Sequence, residues 1–255
     1  MKIKKFFQKH NSWLIPLIFT AICSVFLLAW LKIDNSTPIG ESSQNLYESI
    51  IYGRLWTSFL DGKVSIGLLL ANYFNNFPAQ HFVVYAFYLL FGVSSDVAIA
   101  TNIIWIFVLS YSVYNLLSKY CSRNVATVSL FLVCAMPYIV AKTHELQKYL
   151  PITAWLILII YLLCTLKAKA DKKHAILFGF ALGIGLLIDR LFIVVNFMAI
   201  IMVADQMRLR EKKQSAINLL VIPILLMLLV STPWYAANHQ IIFSGFGYIF
   251  HDWSN

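Results

Sequence analysis

Apolar residues in this chain run in blocks of 14 to 22, separated by short knots of Lys and Arg. As helices, such blocks extend about 21–33 Å at 1.5 Å per residue, the range needed to cross a hydrocarbon core of about 30 Å. Several such blocks in series describe an all-α polytopic membrane protein, in which every spanning backbone group bonds within its own helix. Composition excludes a soluble domain. Only 12% of residues are charged and 60% are hydrophobic, against about one quarter charged in soluble proteins. The cysteines show neither ligand spacing nor a disulfide framework. Cys23, Cys134 and Cys164 lie inside apolar spans and Cys121 in a basic loop, so they read as small packing residues.

The first apolar run, residues 13–31, follows Met1-Lys2-Ile3-Lys4-Lys5. It is long for a cleavable signal and no small-x-small site follows, so it reads as an uncleaved anchor. Further spans are expected at 97–118, 125–141, 151–167, 174–188, 191–204 and 217–235, about seven in all. With the N-terminus cytoplasmic, 14 of the 20 Lys and Arg fall inside and 8 of the 11 acids outside, as the positive-inside rule requires. The net charge of +9 is therefore a topology signal, and no nucleic-acid partner is expected. The C-terminus is then external, in a plasma (inner) membrane. Residues 79–92 are only 14 long, and counting them as a span would move ten basic residues outside. They read as re-entrant or interfacial.

This leaves a large external segment at 32–96, with helices expected to lie flat on the membrane near 43–60 and at 64–74. Pro38, Gly40, Gly62 and Pro78 punctuate it, and it carries Asp34, Glu41, Glu48, Asp61 and Asp96. No Gly-rich phosphate loop, GxSxG or HExxH occurs, which argues against a nucleotide-driven enzyme. The polar candidates sit near the outer face: Asp34, Glu41, the run Lys142-Thr143-His144-Glu145-Leu146-Gln147-Lys148, the pair Asp189-Arg190, and Asn238-His239. Glu48, Asp61 and Asp96 read as solvated loop charges. His144 and His239 read as interfacial residues without ligand partners, and Trp234 and Tyr235 as an aromatic belt. Asp189-Arg190 joins two segments of about 21–23 Å each, so the junction should fall inside protein. An ion pair there either marks a functional site or neutralises itself and stabilises the turn.

Several short elements follow one another in a telling order. Thr37-Pro38-Ile39-Gly40-Glu41-Ser42 opens the external segment, and Asn76-Phe77-Pro78-Ala79 leads to Phe91-Gly92. The basic turn Ser118-Lys119-Tyr120-Cys121-Ser122-Arg123 precedes a span ending Ala135-Met136-Pro137. Then come Lys142 to Pro151, Gly179-Phe180-Ala181-Leu182-Gly183 through Asp189-Arg190, and Pro233-Trp234-Tyr235. In this order the elements resemble the GT-C superfamily of membrane glycosyltransferases, in particular bacterial homologues of protein O-mannosyltransferases and aminoarabinose lipid A transferases.

The resemblance implies one GT-C-like transmembrane domain over 1–255 and a polyprenyl-phosphate sugar donor among membrane lipids. It implies a glycan, lipid or protein acceptor of the cell envelope, and inversion at the anomeric carbon. A first-loop carboxylate would act as base on the acceptor hydroxyl. Cations would stabilise the leaving phosphate, and the lipid tail would hold donor and enzyme in one plane. Mapped onto this chain, the base is Glu41, or Asp34 if the register slips. Lys142, His144, Glu145, Lys148, Asp189 and Arg190 would form the substrate-binding set.

This chain departs from the pattern in two places. Gly40-Glu41 stands where the family has an Asp-Glu pair, and Tyr149 stands where an acid precedes Pro151, with Glu145 as a substitute about one turn upstream. The resembling proteins are longer, so the chain is expected to be an N-terminal half. Two other classes compete: a non-catalytic polyprenyl-phosphate-binding or partner subunit on the same scaffold, and a transporter with broken helices at 174–204. No cofactor is expected, and the sequence leaves divalent-metal dependence open.

Overall fold

The computed structural model describes residues 2–34, 40–70, 78–208 and 213–238, and all regular structure among them is helical. In chain order the helices are α1 (Lys2–Ile33), α2 (Glu41–Leu60), α3 (Ile66–Leu70), α4 (Pro78–Phe91), α5 (Ser95–Ala100) and α6 (Asn102–Leu117). They continue with α7 (Arg123–Cys134), α8 (Pro137–Thr143), α9 (Tyr149–Lys169), α10 (Lys172–Ile188), α11 (Phe192–Arg208) and α12 (Lys213–Ala237). Thr37-Pro38-Ile39, Asn76-Phe77, His239 and the end of the expected 64–74 helix lie outside the described residues.

Each expected span position is helical, but not each helix is long enough to cross. Among the described residues, four segments meet the length and apolarity of a span: Ser12–Ile33, Ser95–Leu117, Tyr149–Lys169 and Leu219–Ala237. A fifth is present if α7 and α8 count as one, although they are bent by 61°. The bend has a local cause. Pro137 opens α8, and the residue before it, Met136, sits at φ −59° and ψ 127°, the extended conformation that a following proline ring enforces. The helices α10 and α11 have 17 residues each, about 25 Å. This integral membrane protein therefore has four or five candidate spans, fewer than the seven expected.

The core forms where α6 packs between α1 and α9, and α9 in turn carries α10. The apolar face of α1, with Leu17, Ile18, Ile22, Val25 and Phe26, stays exposed, as a lipid-facing stripe would. The closest helix approach is between α10 and α12. A Cβ added at Gly179 would come within 2.7 Å of Pro223 Cα, and one at Gly183 within 2.7 Å of Val230 Cβ. Small residues earn such contacts in membranes, where lipid tails remove the hydrophobic gain and leave van der Waals fit to hold helices together. Trp234 is 7% exposed and the Tyr235 hydroxyl donates to the Leu186 carbonyl at 3.2 Å. Tyr235 thus bonds to α10 and Trp234 is buried beside it, where the sequence suggested a belt at the lipid headgroups.

Two predictions concern α10. Gly179→Leu should force α12 away from α10 and cost about 1–3 kcal/mol, the range for overpacked sites, read as a lower midpoint of thermal unfolding in detergent. At its other end, Asp171 caps α10 by accepting from His174 N–H at 2.8 Å. That backbone bond, with the His174 ring 2.6 Å away, holds the Asp171 carboxyl below its usual range. A depressed carboxyl contributes stability above its unfolded value and loses it as pH falls through the folded value. Amide exchange in residues 172–176 should therefore quicken on acidification below about pH 4. Asp171→Asn, which caps without a charge, should show no such step.

Candidate functional site

The loop from Thr143 to Lys148, between α8 and α9, organises the polar residues. Its anchor is Leu146, 1% exposed and packed with Leu27, Val84, Tyr88 and Ala98. Burying this side chain takes the neighbouring carbonyls out of water, and buried carbonyls need donors. Side-chain amides of three helices supply them. Asn102 Nδ2, at the start of α6, donates to the Thr143 and Glu145 carbonyls, both at 2.9 Å. Asn45 Nδ2 on α2 donates to the Leu146 carbonyl at 2.8 Å, and Gln80 Nε2 on α4 reaches the Gln147 carbonyl at 3.5 Å.

The charged residues of the loop are paired. Lys142 Nζ donates to Glu145 Oε2 at 2.9 Å and to Gln147 Oε1 at 2.8 Å, and lies 5.4 Å from the centre of the Tyr149 ring. The hydrogen bond to the Glu145 carboxylate holds the Lys142 ammonium above its usual range. Lys148 Nζ is 3.6 Å from Asp189 Oδ2, and Asp189 Oδ1 accepts from Leu191 N–H at 2.8 Å. Asp189 is 8% exposed and Arg190 is exposed. The Asp189-Arg190 pair expected from sequence therefore does not form. Asp189 turns inward to Lys148 and to its own turn, while Arg190 faces out.

His144 stacks at 4.8 Å, tilted 47°, on the ring of Trp30, whose Nε1 donates to Asp34 Oδ2 at 3.2 Å. Six of the eight predicted site residues are thus brought to this loop or its immediate partners: Asp34, Lys142, His144, Glu145, Lys148 and Asp189. Glu41 and Arg190 are not joined to them. Glu41 lies half-buried in the first turn of α2, and among the described residues neither side chain has a hydrogen bond or ion pair.

Glu48 overturns its sequence reading. It is 2% exposed, not a solvated loop charge. The helix α2 turns a polar face inward, burying Ser42, Asn45, Glu48, Ser49 and Tyr52. Glu48 Oε2 lies 3.5 Å from His81 Nε2, and His81 Nδ1 lies 2.7 Å from Ser49 Oγ. Tyr52 closes over the pair, its ring 6.0 Å from that of His81 and 5.2 Å from that of Phe82. Burial pushes the Tyr52 phenol up to about 12. Asn45, Asn102, Gln80, Glu48 and His81 were absent from the sequence-derived set. The one available signal was the spacing of Gln44, Asn45, Glu48, Ser49 and Tyr52, which places polar side chains along one helical face. Among the described residues no group of three or more His, Cys, Asp or Glu is placed to hold a metal ion.

A helical membrane scaffold with a polar loop of paired lysines and carboxylates fits the GT-C class of membrane glycosyltransferases, and the family comparison places the chain there. The sequence model of the dolichyl-phosphate-mannose-protein mannosyltransferase family matches residues 76–235, more than half of the chain, and the chain belongs to that family. No curated protein and no solved structure matches it. The match spans the lysine loop, Asp189 and Pro233-Trp234-Tyr235. It begins after α1 and α2, so Asp34, Glu41 and Glu48 lie outside it.

The loop makes a direct prediction. Asn102→Leu removes the amide donor of the part-buried Thr143 carbonyl, at about 1–3 kcal/mol, while the Glu145 carbonyl keeps the Gln147 N–H at 3.0 Å. Hydrogen exchange should quicken across 143–148, and the unfolding midpoint should fall. Unchanged exchange would show that the Asn102 amide does not hold the loop.

Proposed function

We propose that this chain transfers a sugar from a polyprenyl-phosphate donor to a hydroxyl of a cell-envelope glycan, lipid or protein on the external membrane face, with inversion. One observation carries the reading, in a chain of this family. Lys142 and Lys148 flank a loop whose backbone is held by α2, the helix that begins at Glu41. The acceptor oxygen attacks the anomeric carbon from the side opposite the phosphate. The bond from that carbon to the phosphate oxygen breaks, and its electron pair leaves with the polyprenyl phosphate. Glu41 takes the acceptor proton, with Asp34 the second candidate. Lys142, Lys148 and Arg190 offset the charge of the leaving phosphate, and His144, Glu145 and Asp189 orient these cations and the sugar. Counting the bent pair α7–α8 and the short helices α10 and α11 as crossings gives seven passes, with the N-terminus cytoplasmic and the C-terminus external. In this orientation α2 and α4 lie at the outer interface.

Glu41→Gln in the full chain, reconstituted in lipid vesicles with a labelled polyprenyl-phosphate sugar, tests the base. Transfer should fall about 10²–10⁴-fold, the range for a positioned acid or base, while donor binding persists. The double variant Lys142→Ala/Lys148→Ala should weaken donor binding instead.

A second reading rests on Gly40. This residue has φ +61° and ψ −132°, a backbone conformation essentially reserved to glycine. The family's aspartate at this place is thus missing from the sequence, and the local backbone is one that an aspartate would strain. That favours a protein that binds polyprenyl phosphate without transferring sugar. Donor binding without transfer by the unaltered chain, across a panel of envelope acceptors, would select this reading.

A further inference from the structure

Between α2 and α4 lies a buried series of polar groups that the transfer step does not use. The Ser49 hydroxyl is 2.7 Å from the Asn45 carbonyl oxygen and 2.7 Å from His81 Nδ1. A carbonyl cannot donate, and two bare oxygens at that distance repel, so the single Ser49 proton belongs to the Asn45 carbonyl. His81 Nδ1 must then carry a proton and donate it to Ser49 Oγ. The other ring nitrogen, Nε2, faces Glu48 Oε2 at 3.5 Å, while Gln44 Nε2 donates to Glu48 Oε1 at 2.8 Å. If Nε2 and the carboxyl were both bare, two acceptors would face each other where both side chains are 3% exposed. If both were protonated, an imidazolium would lie buried beside a neutral acid, which is costly. One proton between them leaves every group matched.

We propose that Glu48 and His81 share this single proton and act as positioning residues for the lysine loop, a role that rests on the transfer reading above. Asn45, which holds the Leu146 carbonyl, lies one turn before Ser49 on α2, and Gln80, which reaches the Gln147 carbonyl, directly precedes His81 on α4. The pair locks together α2 and α4, two of the three helices whose amides hold the loop between Lys142 and Lys148. It also fixes the helix that starts at Glu41.

The test uses the full chain in lipid nanodiscs. Nuclear magnetic resonance on isotope-labelled histidine and glutamate, near neutral pH, counts the protons on the pair. An imidazolium facing a carboxylate, or an Nδ1-protonated imidazole facing a carboxylic acid, fits one shared proton. A neutral ring with an ionised carboxylate, or protons on both, overturns the sharing. Hydrogen exchange then reads the positioning. Glu48→Ala should speed exchange at 143–148 by about tenfold and leave the middle of α9 unchanged. The reciprocal double variant Glu48→His/His81→Glu, which keeps one proton between a ring and a carboxyl, should restore the protection. Exchange at the original rate in Glu48→Ala overturns the positioning role.

Should the alanine variant not fold, Glu48→Gln serves in its place. Its amide can donate to a neutral Nε2, so the fold survives while any imidazolium signal disappears; a signal that stays overturns the pairing. Binding of a short-chain polyprenyl monophosphate separates this proposal from the transfer reading. It should weaken about tenfold in Glu48→Ala and recover in the reciprocal variant. Failure of the unaltered chain to bind that probe sinks the transfer reading, and the exchange measurements still decide the clamp.

Discussion

Backbone carbonyls that leave helical geometry among apolar helices must find donors within the protein, and the region around Leu146 is arranged to meet that requirement. The chain turns by 61° at Met136-Pro137 between α7 and α8, and it leaves helical geometry again where α8 ends at Thr143, before α9 starts at Tyr149. The residues between are pinned by the buried Leu146 side chain. Their carbonyls are then served by Asn102, Asn45 and Gln80 from three separate helices. Removing the Asn45 amide takes the donor from a buried carbonyl, that of Leu146, and exposes its desolvation cost. The loop and its surrounding helices are therefore one cooperative unit. Side chains such as Lys142 and Lys148 inherit their positions from it.

The fold was legible in the sequence to the extent that it depends on apolar block length and charge asymmetry. Those two quantities located the helices from α6 to α12 to within about five residues at each end, with α7 and α8 taken as one span at 125–141. They did not say which helices are long enough to cross, since α10 and α11 lose residues to the Asp189 turn and α7–α8 breaks at a proline. For the site, ordering by sequence brought Lys142, Glu145, Lys148 and Asp189 into one set, and the structure joins them. It failed on partners. Asp189 was matched to its neighbour Arg190 because adjacency is all that a sequence displays, whereas the helix end turns its carboxylate toward Lys148, 41 positions earlier. Glu48 failed for a related reason. An acid in an external segment is usually solvated, and only the docking of α4 on α2 reveals that this one faces a histidine 33 positions later.

Close packing and polar clamping divide the labour between two ends of the molecule. Where α10 meets α12, glycines at 179 and 183 let backbone approach backbone, and the Tyr235 hydroxyl adds a hydrogen bond to the Leu186 carbonyl. Where α2 meets α4, the buried Glu48, Ser49 and His81 are matched to one another, while the buried Tyr52 and Tyr88 hydroxyls have no hydrogen-bond partner among the described residues. Such networks define a single arrangement when fully satisfied and cost most when partly so. A rigid membrane end and a polar end with one permitted register suit a protein that must hold a few charged groups at fixed positions beside a lipid-borne ligand.

The balance of charge within the site narrows how an anion would enter it. Lys142 is committed to Glu145 and Gln147, and Lys148 to Asp189. Arg190 is exposed and, among the described residues, its side chain has no hydrogen bond or ion pair. A phosphate approaching from the interface would meet the Arg190 guanidinium first, whose planar fork suits bidentate contact. It could then draw Lys148 from Asp189, a contact of 3.6 Å that is longer than a normal hydrogen bond. Lys142 is held by two bonds under 3 Å and would be the last to move. On the transfer reading proposed above, the short turn that places Asp189 inward and Arg190 outward would give the site an entry side, and the loop held by three amides would give it a wall.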